Sequence, residues 1–257
     1  MNQDSFDLKA YEQITPTTTI QWRKKSLTYY IPNTMVFWRA TTFESKEPET
    51  INWLSTFSRE EVYFDIGANV GMYAIAAAAA MGVAVYAFEP EAFNYAILTR
   101  NIYMNNLCGK MKAFCIALSD ETALGDFYVS GIEQGGSGHM FGEDLNFNLR
   151  PKHSSLIQGS VCFRLDDLVQ KYVLPVPNHI KIDVDGLEHK ILDGSVDTIA
   201  NDNVKSVLVE LNTNLEVHRK IVSHMKNFGF SLDQDQVEAS IVKEGWNAGI
   251  GNHIFRR

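Results

Sequence analysis

Two acidic clusters in this chain stand where small-molecule chemistry could be done. The first is Phe64-Asp65-Ile66-Gly67-Ala68-Asn69-Val70-Gly71, an apolar segment closed by an acid and followed by two glycines four apart. The glycines permit a tight turn and a close approach of the backbone to a ligand. A further carboxylate, Glu89, ends the next apolar run 18 residues after Gly71. From there it can accept hydrogen bonds from both hydroxyls of a ribose, which points to an adenosine-containing cofactor. The dinucleotide fingerprint needs a middle glycine so that a pyrophosphate can touch the backbone, and Asn69 stands in its place. Asp65 adds a negative charge that a pyrophosphate avoids and a sulfonium-bearing amino acid does not. The loop therefore fits S-adenosylmethionine better than NAD.

The second cluster is Asp183-Val184-Asp185-Gly186-Leu187-Glu188. Methyl transfer is an in-line displacement in which the protein aligns the partners and, for an alcohol, helps remove its proton. Asp183 and Asp185, at the end of a strand opposite the cofactor loop, are candidates to orient or deprotonate a hydroxyl. His139 is a second candidate base, because histidine titrates near neutral pH. A structural reading stands beside these: Asp185 and Glu188 have the spacing of a helix N-cap and its reciprocal partner. His153, His189, His218 and His224 read as surface residues. A metal-assisted variant would use Asp183 or Asp185 with Glu210 and Asn212, hard oxygen ligands that suit magnesium. Neither composition nor spacing demands a metal.

Alternating apolar runs and helical spacings supply the elements that must position these residues. Strands are expected over Glu61–Ile66, Val83–Phe88, Lys112–Ile116, Asn178–Val184 and Val204–Leu211, with short closing strands near Phe230–Leu232 and His253–Arg256. Helices are expected over Met72–Met81, from Pro90 in a first turn through Ile102, and over Asn214–Phe228 with Gly229 as its C-cap. This alternation is that of an α/β fold with a mostly parallel sheet. Two segments stand outside it. Residues 1–60 are aromatic-rich, with a short helix starting at Glu47-Pro48-Glu49-Thr50, and form a cover and lead-in to a domain over 61–257. Residues 121–163 read as a loop-rich insertion centred on Gly135-Gly136-Ser137-Gly138-His139, of the kind that is functional or mobile. Trp22, Tyr29, Tyr30, Phe37 and Trp38 read as core or as a wall of the substrate pocket.

Composition excludes several classes. The formal net charge of −8 and pI near 5.4 oppose a nucleic-acid or anionic-membrane surface, despite the basic patch Trp22-Arg23-Lys24-Lys25. The three cysteines, Cys108, Cys115 and Cys162, form neither a disulfide framework nor a metal motif, and the N-terminus MNQDSFDLKA is polar, so a cytoplasmic location is expected. Ile66 to Phe88 carries no charge and is long enough to span a bilayer, but its glycines and alanines divide it into loop, helix and strand, and no membrane span is expected.

Taken together, FDIGANVG, YAFEPEAFNYAILTRNIYMNN, HIKIDVDGLEHKILDG, VLVELN and the terminal NHIFRR resemble the FkbM-type methyltransferase family. The resemblance covers roughly residues 44 to 257, including the Glu47-Pro48-Glu49-Thr50 element. It implies a class I, Rossmann-like S-adenosylmethionine fold, with helices on both faces of the sheet and an antiparallel strand near the C-terminus, and methylation of hydroxyl oxygens. Carried over, Asp65, Gly67, Asn69 and Gly71 line the methionine and ribose, and Glu89 takes the ribose hydroxyls. Ala117, Leu118, Ser119 and Asp120 flank the adenine. The family commonly has glutamate where Asp185 stands. The expected substrate is a small molecule or glycan, not nucleic acid, with N-methylation left open. The alternatives are an NAD-dependent oxidoreductase, opposed by Asn69, and a non-catalytic binding module with a methyltransferase-like fold.

Overall fold

A computed structural model describes residues 7–257; the first six residues of the polar start lie outside the described residues. In chain order the elements are α1 (Leu8–Glu12), β1 (Thr17–Trp22), β2 (Lys25–Tyr30), α2 (Thr34–Thr41), α3 (Phe43–Lys46), α4 (Pro48–Leu54), β3 (Val62–Ile66), α5 (Met72–Ala76), β4 (Ala84–Phe88), α6 (Ala92–Met104) and β5 (Met111–Phe114). There follow β6 (Ala117–Leu118), β7 (Ala123–Val129), β8 (Met140–Phe141), β9 (Leu156–Phe163), α7 (Leu165–Gln170), β10 (His179–Ile182), α8 (Glu188–Asp193) and α9 (Val196–Ala200). The chain closes with β11 (Ser206–Asn212), α10 (Glu216–Asn227), β12 (Ser231–Leu232), α11 (Gln234–Ser240) and β13 (Ile250–Arg256).

Seven strands form the central sheet in the order β5-β4-β3-β10-β11-β13-β12. The first five of these run parallel and β13 is antiparallel to both neighbours. Chain order reverses between β3 and β10, so the ligand crevice of such a sheet lies beyond the carboxyl ends of these two strands. That is where both acidic clusters fall. One face of the sheet packs under β1, β2 and α2 to α6, through Trp22, Tyr29, Phe43, Trp53, Ile75 and Leu98. The other packs under α7 to α10, through Leu168, Ile191, Ile199, Ile221 and Met225. Burial on both faces explains why the strands read as continuous apolar runs. The uncharged stretch from Ile66 to Phe88 is loop, helix and strand, and no helix among the described residues is long and apolar enough to cross a membrane.

Several expectations are corrected. The basic patch at Arg23 and Lys24 is the two-residue turn of the β1–β2 hairpin, with both residues at positive φ (46° and 64°). Asn-Gly is the usual chemistry of that turn, so the hairpin left no sequence signal. Residues 121–163 hold long loops but also paired strands that the loop-rich reading did not foresee: β7 and β9 pair antiparallel from Ala123↔Cys162 to Val129↔Leu156 within a second, four-stranded sheet. Gly125, Asp126 and Gly159 weaken its β signal, yet Gly125 is required because a Cβ there would meet the Phe141 ring at 2.8 Å. Pro90 lies outside α6, whose N-cap is Glu91, its carboxylate accepting from the N–H groups of Phe93 and Asn94 at 3.0 and 2.7 Å. The alanine block widens after Ala76 into a turn with i→i+5 bonding, closed by Gly82 N–H on the Ala77 carbonyl at 3.1 Å.

Candidate functional site

The glycine loop is built by the strand ends around it. The N–H groups of Gly67 and Ala68 both donate to the Phe88 carbonyl, at 2.9 and 3.1 Å. Gly67 has φ +80°, and a Cβ there would lie 1.8 Å from the Asp183 carbonyl oxygen. Only glycine lets the two strand ends at the switch point approach so closely. Glu89 is buried and braces the loop: its carboxylate accepts from Asn69 N–H at 2.7 Å and Glu91 N–H at 2.9 Å. Burial pushes its carboxyl up to about 8, against those two bonds. Asp65 is buried with one carboxylate oxygen lacking a partner among the described residues. Its burial raises the carboxyl to about 6, with Lys181 opposing.

A polar strip crosses the sheet on the same face. Side chains alternate along strands, and the register sets Asp65 beside Lys181 and Glu210 beside Asn252. Asp183 and Glu210 follow the paired residues Ile182 and Val209 on adjacent strands. Lys181, only 1% exposed, donates to Asp183 at 2.5 Å. Burial would lower its ammonium, but the carboxylates of Asp183, Glu47 and Asp65 outweigh that and raise it. In return, burial would raise Asp183, yet Lys181 and Lys46 hold it below the ordinary carboxylate range. The start of α4 covers the strip: Asn252 donates to Glu49 at 2.8 Å and to Glu47 at 3.3 Å, and Lys46 pairs with Glu47 at 2.6 Å. Lys181, Glu47 and Asn252 were not picked out as site residues in the sequence; the Lys-Ile-Asp alternation on one strand was the available signal for Lys181.

These two halves face one cavity of about 570 Å³. Its walls include Gly67, Asn69, Glu89, Leu118 and Ser119 on one side, and Asp183, Asp185, Glu210, His139 and His218 on the other. Met35, Trp38, Phe147 and Trp246 add apolar surface. Asp65 lies instead on a smaller adjoining cavity of about 50 Å³, with Arg39, Lys46, Glu47, Tyr73 and Lys181. Gly71 supports the loop from behind, at φ +85° against Leu98. Asp120 is exposed, its carboxylate taking the Ser119 hydroxyl at 2.9 Å, and is not among the cavity walls.

The Gly-rich segment crosses the cavity mouth as a strap. Asn69 donates to the Gly136 carbonyl at 2.7 Å, Gly135 N–H donates to Asn94 at 2.7 Å, and Gly138 N–H donates to the Asp185 carboxylate at 2.6 Å. Asp185, at φ 63°, is therefore not the N-cap of α8, which begins at Glu188 with Leu187 preceding it. Glu188 does reach back, accepting from Val184 and Gly186 N–H at 3.0 and 3.1 Å. His139 Nδ1 accepts from Ser130 N–H at 2.9 Å. Its proton is then on Nε2, so the ring as it stands donates. Burial, with Lys152 and Arg39 beside it, lowers it to about 4. His218 is a buried wall residue, not a surface one: Nδ1 accepts from Asn212 N–H and Nε2 donates to the Gly186 carbonyl, both at 3.0 Å. The Asn212 amide is engaged with Phe147 and Asn148, at 3.1 and 2.9 Å. No group of three or more His, Cys, Asp or Glu side chains among the described residues is placed to hold a metal.

The strand order and the crevice at its switch point define the class I, Rossmann-like methyltransferase fold. The methyltransferase FkbM domain matches residues 65–232, and the chain belongs to that family, whose methyl donor is S-adenosylmethionine. Among its relatives, 31-O-demethyl-FK506 methyltransferase FkbM of Streptomyces tacrolimicus is 25% identical over 196 residues, 68% of this chain and 75% of that protein. Hexuronic acid methyltransferase AglP of Haloferax volcanii is 25% identical over 182 residues, 70% of this chain and 67% of its own. Among solved structures, M. jannaschii TYW2 in complex with AdoMet is 12% identical with a TM-score of 0.48, covering 95% of this chain and 88% of that one.

Proposed function

We propose that this methyltransferase acts on a hydroxyl oxygen of a small molecule or glycan. The observation that carries the reading is the row of carboxylates, Asp183, Asp185 and Glu210, facing the glycine loop across one cavity. S-adenosylmethionine supplies, when bound, a methyl group made electrophilic by its sulfonium. The residues suit it: the Gly67–Asn69 turn and buried Glu89 line the cavity beside the carboxylates, and the Asp65 oxygen without a partner among the described residues suits a cationic amino-acid end. In this reading Asp65, Gly67 and Asn69 hold the methionine and ribose part with Gly71 supporting the turn behind them, Glu89 takes the ribose hydroxyls, and Leu118 and Ser119 flank the adenine.

Asp183 and Asp185 orient the acceptor hydroxyl as hydrogen-bond acceptors, and His139 donates from Nε2. Trp38, Phe147 and Trp246 give the apolar faces that a sugar or macrocyclic ring packs on. An acidic wall favours a neutral polyhydroxy acceptor over a polyanion, by simple repulsion. One relative's name sets its methyl on an oxygen and the other's names a hexuronic acid, which supports a hydroxylated acceptor.

Calorimetric titration with S-adenosylhomocysteine and NAD tests the site, and a panel of methyl glycosides with S-adenosylmethionine tests the acceptor. One-to-one binding of S-adenosylhomocysteine without NAD, weakened at least about tenfold by Glu89→Ala, is the expected result. Binding of NAD alone refutes the site reading. Methylation confined to amines in the wider screen refutes the oxygen assignment.

A further inference from the structure

Of the carboxylates on the acceptor side, all but one are engaged. Asp183 holds Lys181 at 2.5 Å, and a proton placed on it would strand a lysine that is 1% exposed. Removing one partner of a buried ion pair is strongly unfavourable. Asp185 holds Gly138 N–H at 2.6 Å. Glu188 spends one oxygen on Val184 and Gly186 N–H. Glu210 lines the cavity beside Asp183, and no hydrogen bond or ion pair among the described residues engages its side chain. Of the nearby cations, Lys46 pairs with Glu47 at 2.6 Å, and Arg39, whose Nε donates to the Gly135 carbonyl at 2.6 Å, forms no ion pair with Glu210.

We infer that Glu210 is the acid–base residue of this site, receiving the proton of the acceptor hydroxyl as its oxygen is methylated. The inference rests on the proposed oxygen acceptor. As the acceptor oxygen bonds to the methyl carbon, the carbon–sulfur electron pair stays with sulfur and the O–H proton passes to a Glu210 carboxylate oxygen. One positive charge is lost at sulfur in the step that neutralises one negative charge on Glu210. The low-dielectric cavity therefore creates no net charge, which keeps the barrier low.

The same balance acts before any acceptor arrives. Burial, then the negative charges of Asp183, Glu47, Asp185 and Glu188, push the Glu210 carboxyl well above its ordinary range. Lys181 and Lys46 face the same strip but are neutralised by Asp183 and Glu47. Arg39 and the neutral imidazoles of His139 and His218 also line that side. The unpaired place of Glu210 among these carboxylates thus favours its protonated form in the ligand-free protein, and an entering sulfonium favours release of that proton. Uncharged sulfur does not.

Calorimetry at pH 7 in two buffers of different ionisation enthalpy reads this directly, with no acceptor present. S-adenosylmethionine should release up to about one proton more than S-adenosylhomocysteine. Glu210→Gln should abolish the difference, and Glu210→Asp should restore most of it. A difference that is absent from the wild type, that survives Glu210→Gln, or that moves with added magnesium overturns the proposal. If neither compound binds, the reading of the cavity as the cofactor site fails, and the proposal with it. Methylation of amines alone, with the proton difference intact, leaves the Glu210 titration standing and overturns its role toward a hydroxyl.

Discussion

At the scale of single residues, this site is a set of carboxylates kept in different states by their neighbours. Burial raises Glu89 and Glu188 to about 8, whereas Lys181 and Lys46 hold Asp183 low. These shifts carry a signed consequence for stability. A carboxyl raised in the folded protein contributes stability that is complete below its unfolded value of 4.5 and lost as pH rises through about 8. His139 and His218 act oppositely, being lowered to about 4, so their contribution is complete above their unfolded 6.5. From pH 6.5 to about 8.5 the carboxyls act alone, and the Tm of the ligand-free protein should fall by a few degrees. Glu188→Gln should flatten that fall; a profile level over the window, or unchanged in the variant, contradicts the assignment. The histidines also show where residue-by-residue reading stops. His218 looked like any surface histidine because nothing in Glu216–Asn227 reports that this helix carries it against Gly186.

At the scale of elements, the motifs were legible because each repeats a local rule. The acid-closed strand, the glycine turn and the strand-ending Glu89 follow from sequence alone, since parallel strands buried on both faces are apolar throughout. The asparagines of α6 and of its C-cap had no such rule. Asn94 secures the strap through Gly135; Asn101 takes Tyr30 N–H at 2.8 Å and donates to the Val70 carbonyl at 2.8 Å; Asn105 takes Thr28 N–H at 2.9 Å. One helix thus satisfies the open edge of β2 and ties it to the cofactor loop, a role visible only when distant segments meet. Gly67 is the point where two elements cannot move apart. In Gly67→Ala the added carbon meets the Asp183 carbonyl, so β3 and β10 must separate at the switch point. The expected outcome is at least about tenfold weaker S-adenosylhomocysteine binding and a Tm lower by several degrees, since backbone rather than a side chain must yield. Unchanged affinity by calorimetry would remove the turn from the site.

At the scale of the whole molecule, the lead-in segment and the sheet share one core. Trp22, Leu27, Tyr29, Phe43 and Trp53 pack in the same cluster as Tyr63, Val85 and Leu208. Trp53 also donates to the Ser206 hydroxyl at 2.7 Å, and that hydroxyl contacts His179 Nδ1 at 2.7 Å. A fragment of residues 61–257 would keep α5 and α6 but uncover the part of that sheet face packed under Trp22, Tyr29, Phe43 and Trp53, a large apolar patch for a monomer to leave exposed. It should show no cooperative thermal transition by circular dichroism; a cooperative melt near that of the full chain contradicts this. What the sequence determined by itself was local: the order of strands and helices, the turn that glycine alone can make, and the acids that close the strands. These are set by residues within a few positions of each other, through backbone geometry and side-chain period. What only the tertiary structure decided was charge and company: that Lys181 neutralises Asp183, that the Gly-rich strap spans Asn69 and Asp185, and that Glu210 is left without a partner among the described residues. Those follow from which strand lies beside which, and through burial from the dielectric each group meets, neither of which is written in any short stretch of the chain.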